Sequence, residues 1–271
     1  AEAEEVVYDA LLRLVQAGKK VVIIPGNHDN PGKWKAIQPL LDRFAIHVVP
    51  RVTRPDEGGI VELVAGGDER LQVACLPWVG KRRFVGAQEL MAPEKDPYSE
   101  YNDGVGRLMQ ALCAPLDPDT CHVLAGHMHL DGALLGGGER SLTIGQLYAV
   151  APQQIPQVQY AAFGHVHRPQ EVQRAPVPAR YSGSPLKFDF GETGYENSIT
   201  LVDLAPGQPA RVEEVVLTEG RELVNVRGTL EELRGRADEL GDAYLKVTVE
   251  CDGPEHDMGE RVRAFLPHAL E

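Results

Sequence analysis

Apolar residues recur at helical spacing from the start of the chain: Val7, Leu11, Leu14 and Val15 share one face, and Gly18 stands where a helix would stop. The pattern predicts a helix over 3–17. VVIIPGNHDN, residues 21–30, then changes the period. Four branched apolar residues in a row predict a short strand over 20–25, buried on both faces as in a parallel sheet. A second helix is predicted over about 33–44, with Pro39 expected to kink or shorten it, and IHVVP (46–50) reads as another strand. In GGIVELVAGGDERLQVACLPWV two strand patterns flank a Gly-Gly-Asp turn, which brings antiparallel pairing into the fold. A polar, Pro-containing stretch over 91–98 leads into a helix predicted over about 99–113. CHVLAGHMH (121–129) and QYAAFGHVH (159–167) each repeat the earlier theme of an apolar strand, a glycine and then histidines.

From about 171 to 217, strand-like segments alternate with Gly/Pro turns: ARYSGSP, NSITLVDL and RVEEVVL. The composition changes after Thr218, where RELVNVRG, TLEELRGRADEL and AYLKVTVE form a strand–helix–strand set followed by a possible last helix. The pattern predicts an α/β first domain over 1–218 and a small α+β second domain over 219–271. The G-H-x-H tetrapeptide at 126–129 and 164–167 is too short to imply a repeat architecture.

The 271 residues are 43% hydrophobic and 25% charged, ordinary for a globular chain with a sizeable core. No apolar stretch approaches the ~20 residues a membrane span requires. Cys75, Cys113, Cys121 and Cys251 form no C-x-x-C pair, a usage that suits a reducing cytoplasm. A net charge of −13 speaks mildly against nucleic acid, yet binding is local. Lys33-Trp34-Lys35 and Lys81-Arg82-Arg83 are basic clusters that could meet phosphates, though solvated surface charge is the plainer explanation. The chain opens at Ala1 inside a helical pattern and stops in RVRAFLPHALE, so it is expected to be a piece of a longer product.

Three predicted strand ends deliver polar residues: Asn27, His28 and Asp29; His127 and His129; His165 and His167. Ligands of open α/β sheets bind beyond the carboxyl ends of strands, so these loops are expected to converge on one crevice. Residues i and i+2 of an extended segment point the same way, which lets each His-x-His pair face one pocket. A lone histidine is usually a surface or hydrogen-bonded residue, but five of the nine sit in these Gly-preceded clusters. Imidazoles and an amide suit a divalent first-row cation, and with no cysteine among them a zinc–thiolate site is not expected.

In that order, Gly26-Asn27-His28-Asp29, His127 and Gly164-His165-Val166-His167 resemble the calcineurin-like metallophosphoesterase superfamily. HVLAGHMHLDGA, YAAFGHVHRPQEV and ARYSGSPLKFDFGE narrow the resemblance to its SbcD-type DNA repair nuclease subunits, over most of 1–218. The segment after 219 resembles that family's DNA-capping domain. The resemblance implies a four-layer α/β/β/α sandwich, N-terminally incomplete, holding two metal ions, commonly Mn²⁺ with Mg²⁺ as the alternative. By position, it implies that Asn27, His127 and His165 ligate one metal and His167 the other. His28 matches the catalytic histidine that aids the leaving group or steadies the transition state, and Asp29 would orient it, unless Asp29 only caps the loop. Arg168 is a candidate phosphate contact against a structural ion pair, and Ser182 and Ser184 lie in what resembles a nucleotide-side loop. The implied activity is metal-dependent exonucleolytic and endonucleolytic hydrolysis of DNA at double-strand breaks and hairpins, by a cytoplasmic homodimer with an SbcC-type ATPase partner.

The superfamily's Asp-x-His and Gly-Asp-x-x-Asp motifs, which supply the remaining ligands and the bridging aspartate, do not occur before GNHD. Neutral ligands alone offset little of the charge of two dications, so weak or absent activity is expected of this chain. Two other functions compete: a small-molecule phosphodiesterase on the same scaffold, and a non-catalytic DNA-binding remnant.

Overall fold

The computed structural model describes residues 2–65, 69–80, 97–139, 148–251, 253 and 256–271. Lys81-Arg82-Arg83 and residues 91–96 of the polar stretch lie outside the described residues.

Helix α1 (Glu2–Gln16) and strand β1 (Val21–Ile23) realise the first two predicted elements, the strand being shorter than 20–25. Helix α2 (Pro31–Leu41) starts earlier than expected, because Asn30 Oδ1 accepts the Gly32 N–H at 2.9 Å and caps it. Pro39 does not stop α2, which runs two residues further before a 3-10 turn over Asp42–Phe44 closes at left-handed Ala45 (φ 56°). Strand β2 (Ile46–Val48) follows and pairs with β1 in parallel.

Strands β3 (Ile60–Val64) and β4 (Arg70–Leu76) form the expected antiparallel pair. After helix α3 (Pro97–Cys113) come β5 (Cys121–His127), the short pair β6 (His129–Leu130) and β7 (Ala149–Val150), and then β8 (Tyr160–Gly164). Strands β9 (Gln170–Glu171) and β10 (Ala179–Tyr181) complete a central sheet in the order β3-β4-β5-β8-β10-β9. The run β4-β5-β8-β10 is parallel and both edges are antiparallel.

Alternation along β1 explains the layers. Val21 and Ile23 pack with Leu11, Trp34, Ile37 and Leu41 of α1 and α2, whereas Val22 and Ile24 pack with Val73 and Cys75 of β4 and Ala125 of β5. The small β1–β2 sheet is therefore covered on both faces, with Ile46 and Val48 of β2 buried and the β1 residues partly buried. On the far side of the central sheet, Ala74, Leu76, Leu124 and Ala161 meet Tyr101, Val105 and Met109 of α3. The stacking order is helix, sheet, sheet, helix, the four-layer arrangement expected from the resemblance.

The antiparallel hairpin β11 (Ser198–Asp203) and β12 (Arg211–Val216) precedes the C-terminal segment. There β13 (Leu223–Gly228), α4 (Leu230–Gly235), α5 (Ala237–Leu240), β14 (Tyr244–Val249) and α6 (Met258–Arg263) enclose Val226, Leu233, Leu245, Val262 and Leu266. Thr229 and Glu232 cap α4 reciprocally, so the sequence TLEEL carries its own start signal. Asn225 of β13 reaches back to the body, donating to Phe190 O at 2.9 Å and Thr193 Oγ1 at 3.1 Å.

Candidate metal centre

Register brings the histidine loops together. His127, the last residue of β5, pairs with Gly164 of β8, directly before His165. The Trp78 N–H beyond β4 donates to Pro25 O beyond β1 at 3.1 Å, joining the carboxyl ends of the two stacked sheets. Asn27 is thereby carried over the histidines. Its Oδ1 lies 3.0 Å from His127 Nε2 and 3.3 Å from His165 Nδ1, and the two imidazole centroids are 5.4 Å apart. Glycine is required beside this cluster: a Cβ on Gly26 would lie 2.4 Å from His127 Cε1. Trp78 stacks on His165 at 5.1 Å and forms one wall.

Electrostatics prepares the cluster for a cation. Burial, then the neighbouring His165, His28 and His167, lower the His127 pKa from 6.5 to about 3. The ring is neutral at physiological pH, with a lone pair available, as ligation demands. An amide oxygen and two imidazole nitrogens fit part of the shell of one first-row dication. Among the described residues no group of three or more His, Cys, Asp or Glu side chains is arranged to hold a metal; the convergent set is one amide and two imidazoles.

His167 stands apart from that trio. The segment from His165 is not extended, because His165 itself adopts φ 104°, so the two histidines do not simply project to the same side. His167 Nδ1 instead meets Glu192 Oε1 at 2.7 Å, and only Nε2 is left for a ligand. His129 is buried, with its ring 6.2 Å from that of His165, and burial lowers its pKa, which makes it a neighbour of the pocket. His28 is exposed and lines, with Asp29, Lys33 and Trp34, a cavity of about 360 Å³.

Of the two roles expected for Asp29, its hydrogen bonds fit the loop cap. Asp29 does not hydrogen-bond His28: its Oδ2 accepts the Gly26 N–H at 2.7 Å and its Oδ1 the Trp34 indole N–H at 3.3 Å. A carboxylate two residues from asparagine is well placed to close its own loop, and it does. Ser182 and Ser184 make contacts within the protein. Ser182 Oγ donates to Thr200 Oγ1 at 3.0 Å, and the buried Ser184 donates its N–H to His167 O at 2.9 Å. Gly183 (φ 81°) sits so tightly on this segment that a Cβ would lie 2.6 Å from His167 O, so the SGSP turn buttresses the His167 backbone. Arg168 makes no ion pair with a carboxylate among the described residues and lies over the Tyr195 ring at 5.6 Å. Lys33 of the first basic cluster is paired with Glu4.

Glu139 and Glu192 were not legible as site residues. Glu139 follows three glycines, and burial raises its pKa, but the N–H groups of Gly136, His167, Gly137 and Glu139 together outweigh this and lower it. Glu192 is fully buried at the end of FDFGE. The available signal was an acidic residue closing each of two glycine-bearing turns.

Known proteins resemble this chain. Residues 2–169 match the family profile described as calcineurin-like phosphoesterase. The SbcD chain of the SbcCD nuclease of Bacillus subtilis is 34% identical over 254 residues, covering 92% of this chain and 64% of that protein. The SbcD chains of Rhodobacter capsulatus and Escherichia coli K12 are 29% and 22% identical, with 54% and 65% of their lengths covered. The chain thus spans less than two-thirds of the relatives it resembles. With the matched profile covering over half of its residues, the chain belongs to the calcineurin-like phosphoesterase family.

Proposed function

We propose that this chain is part of an SbcD-type nuclease subunit, which hydrolyses DNA phosphodiesters with divalent metal, Mn²⁺ or Mg²⁺, during double-strand-break and hairpin processing. The observation that carries the reading is the meeting of Asn27 Oδ1 with His127 Nε2 and His165 Nδ1. In this reading those three hold one cation and His167 Nε2 faces a second. When bound, two cations neutralise the phosphodiester and lower the pKa of the attacking water. His28, exposed beside the trio, gives a proton to the leaving oxygen, and Arg168 meets a neighbouring phosphate. Residues 219–271 act as the DNA cap, with a homodimer, an SbcC-type ATPase and a cytoplasmic setting as in the related nucleases. Among the described residues no helix is long and apolar enough to cross a membrane.

Among the described residues the donors that meet at Asn27 are neutral, so turnover of the 271-residue polypeptide is expected to be weak or absent while its affinity for Mn²⁺ and DNA persists. Electron paramagnetic resonance titration with Mn²⁺, gel-shift binding and cleavage assays on duplex ends and a nitrophenyl phosphodiester test this. The expected result is Mn²⁺ binding that is lost in His127→Ala, with DNA binding retained. Turnover of the nitrophenyl ester without any DNA binding would replace the reading by the small-molecule one, and DNA binding without Mn²⁺ binding would replace it by a non-catalytic one.

A further inference from the structure

We propose that Glu192 and Glu139 are positioning residues for His167, fixing its ring so that Nε2 is the nitrogen offered to a cation. The assignment rests on the metal-dependent reading above.

Glu192 has no exposed surface, and its carboxylate uses both oxygens: Oε1 lies 2.7 Å from His167 Nδ1 and Oε2 accepts the Phe188 N–H at 2.8 Å. A carboxylate only accepts, so the ring proton sits on Nδ1 and the lone pair on Nε2. Among the described residues no Lys or Arg forms a salt bridge with Glu192. Sealing a carboxylate away without a cation is costly, and packing gives no reason for one here.

Glu139 controls the backbone of the same histidine. Its Oε1 accepts from the His167 N–H and the Gly136 N–H, each at 2.9 Å, and its Oε2 accepts from the Gly137 N–H at 2.8 Å. The three glycines 136–138 let the carboxylates approach from two sides. A Cβ on Gly138 would lie 2.8 Å from Glu192 Oε1 and 3.0 Å from His167 Nδ1. On Gly136 it would lie 2.4 Å from the Tyr195 hydroxyl. One carboxylate sets the rotation and tautomer of the ring, and the other sets where the ring is attached.

A purely structural Glu192 and a positioning one differ in a measurable way. Glutamine has the same shape but one acceptor and one donor, so it cannot accept from both Phe188 N–H and Nδ1–H. With its oxygen on Phe188, its NH₂ faces Nδ1 and drives the ring proton to Nε2. Long-range ¹H–¹⁵N correlation spectra of the metal-free 271-residue chain, labelled in histidine, read this directly. The His167 signals are assigned by their loss in His167→Gln. Parent His167 is expected as the Nδ1–H tautomer, Glu192→Gln predominantly as Nε2–H, and Glu192→Asp, whose carboxylate is withdrawn by one methylene, as a mixture. In a parallel Mn²⁺ titration, Glu192→Gln weakens total binding by about 10–100-fold, the usual effect of losing such a partner. An Nε2–H tautomer in the parent overturns the assignment without any variant. So does an unchanged tautomer in a folded Glu192 variant, or Mn²⁺ affinity equal to that of the parent. Since the spectra contain neither metal nor DNA, a chain that binds no DNA would leave this assignment standing and count only against the function proposed above.

Discussion

Buried, and held among His165, His28 and His167, the His127 imidazole resists protonation down to about pH 3 in the folded chain, against 6.5 when unfolded. Between those values the unfolded chain binds the extra proton. The stability this residue contributes is complete above about pH 6.5 and is lost as pH falls toward 3. Depressed Glu139 loses its contribution in the same direction, below the ordinary carboxylate value. Urea melts of the metal-free chain should show stability falling by on the order of 1 kcal/mol per pH unit below about pH 6, less steeply in His127→Gln. Asp29 allows a second test. As a loop cap bonded to Gly26 and Trp34, it should cost about 1–2 kcal/mol when replaced by alanine, with the His28 resonances unmoved. The residue types of the site were legible because glycine-preceded histidines after apolar strands have few other uses. Hydrogen-bond partners were not, since whether Asp29 faces His28 or Gly26 depends on a loop geometry that four letters do not specify.

Among elements, the parallel strands β4, β5 and β8 were readable from their short apolar runs, and α1 from its periodicity. The serine turn after β10 makes long-range ties that its own letters do not show: the Ser184 N–H reaches His167 O, and Ser182 reaches Thr200 on β11. The same strand carries another long-range tie. Tyr181, fully buried on β10, donates to Met128 O and accepts from the Leu130 N–H, each at 2.9 Å, bracing the turn from β5 into β6 that follows His127. Tyr181→Phe removes one hydroxyl from two buried backbone groups. It should destabilise the chain by about 1–3 kcal/mol in denaturant melts and weaken Mn²⁺ binding, while leaving far-ultraviolet circular dichroism unchanged.

Across the whole molecule, the two stacked sheets place Asn27 on one layer and the histidines on the other, so the donor set exists only when the layers are docked. This could be anticipated from the order of the motifs but not from any one of them. The link between body and C-terminal segment was invisible in the sequence, because Asn225 looks like any exposed strand residue. It grips the turn over Phe190–Gly194, the one that carries Glu192. A chain cut after Thr218 should therefore exchange the amides of that turn about 5–30-fold faster in hydrogen–deuterium measurements, the effect of losing 1–2 kcal/mol of restraint. Anyone trimming the molecule to its first 218 residues would be loosening the grip on His167 as well. The shortened protein would be an altered molecule rather than a smaller copy.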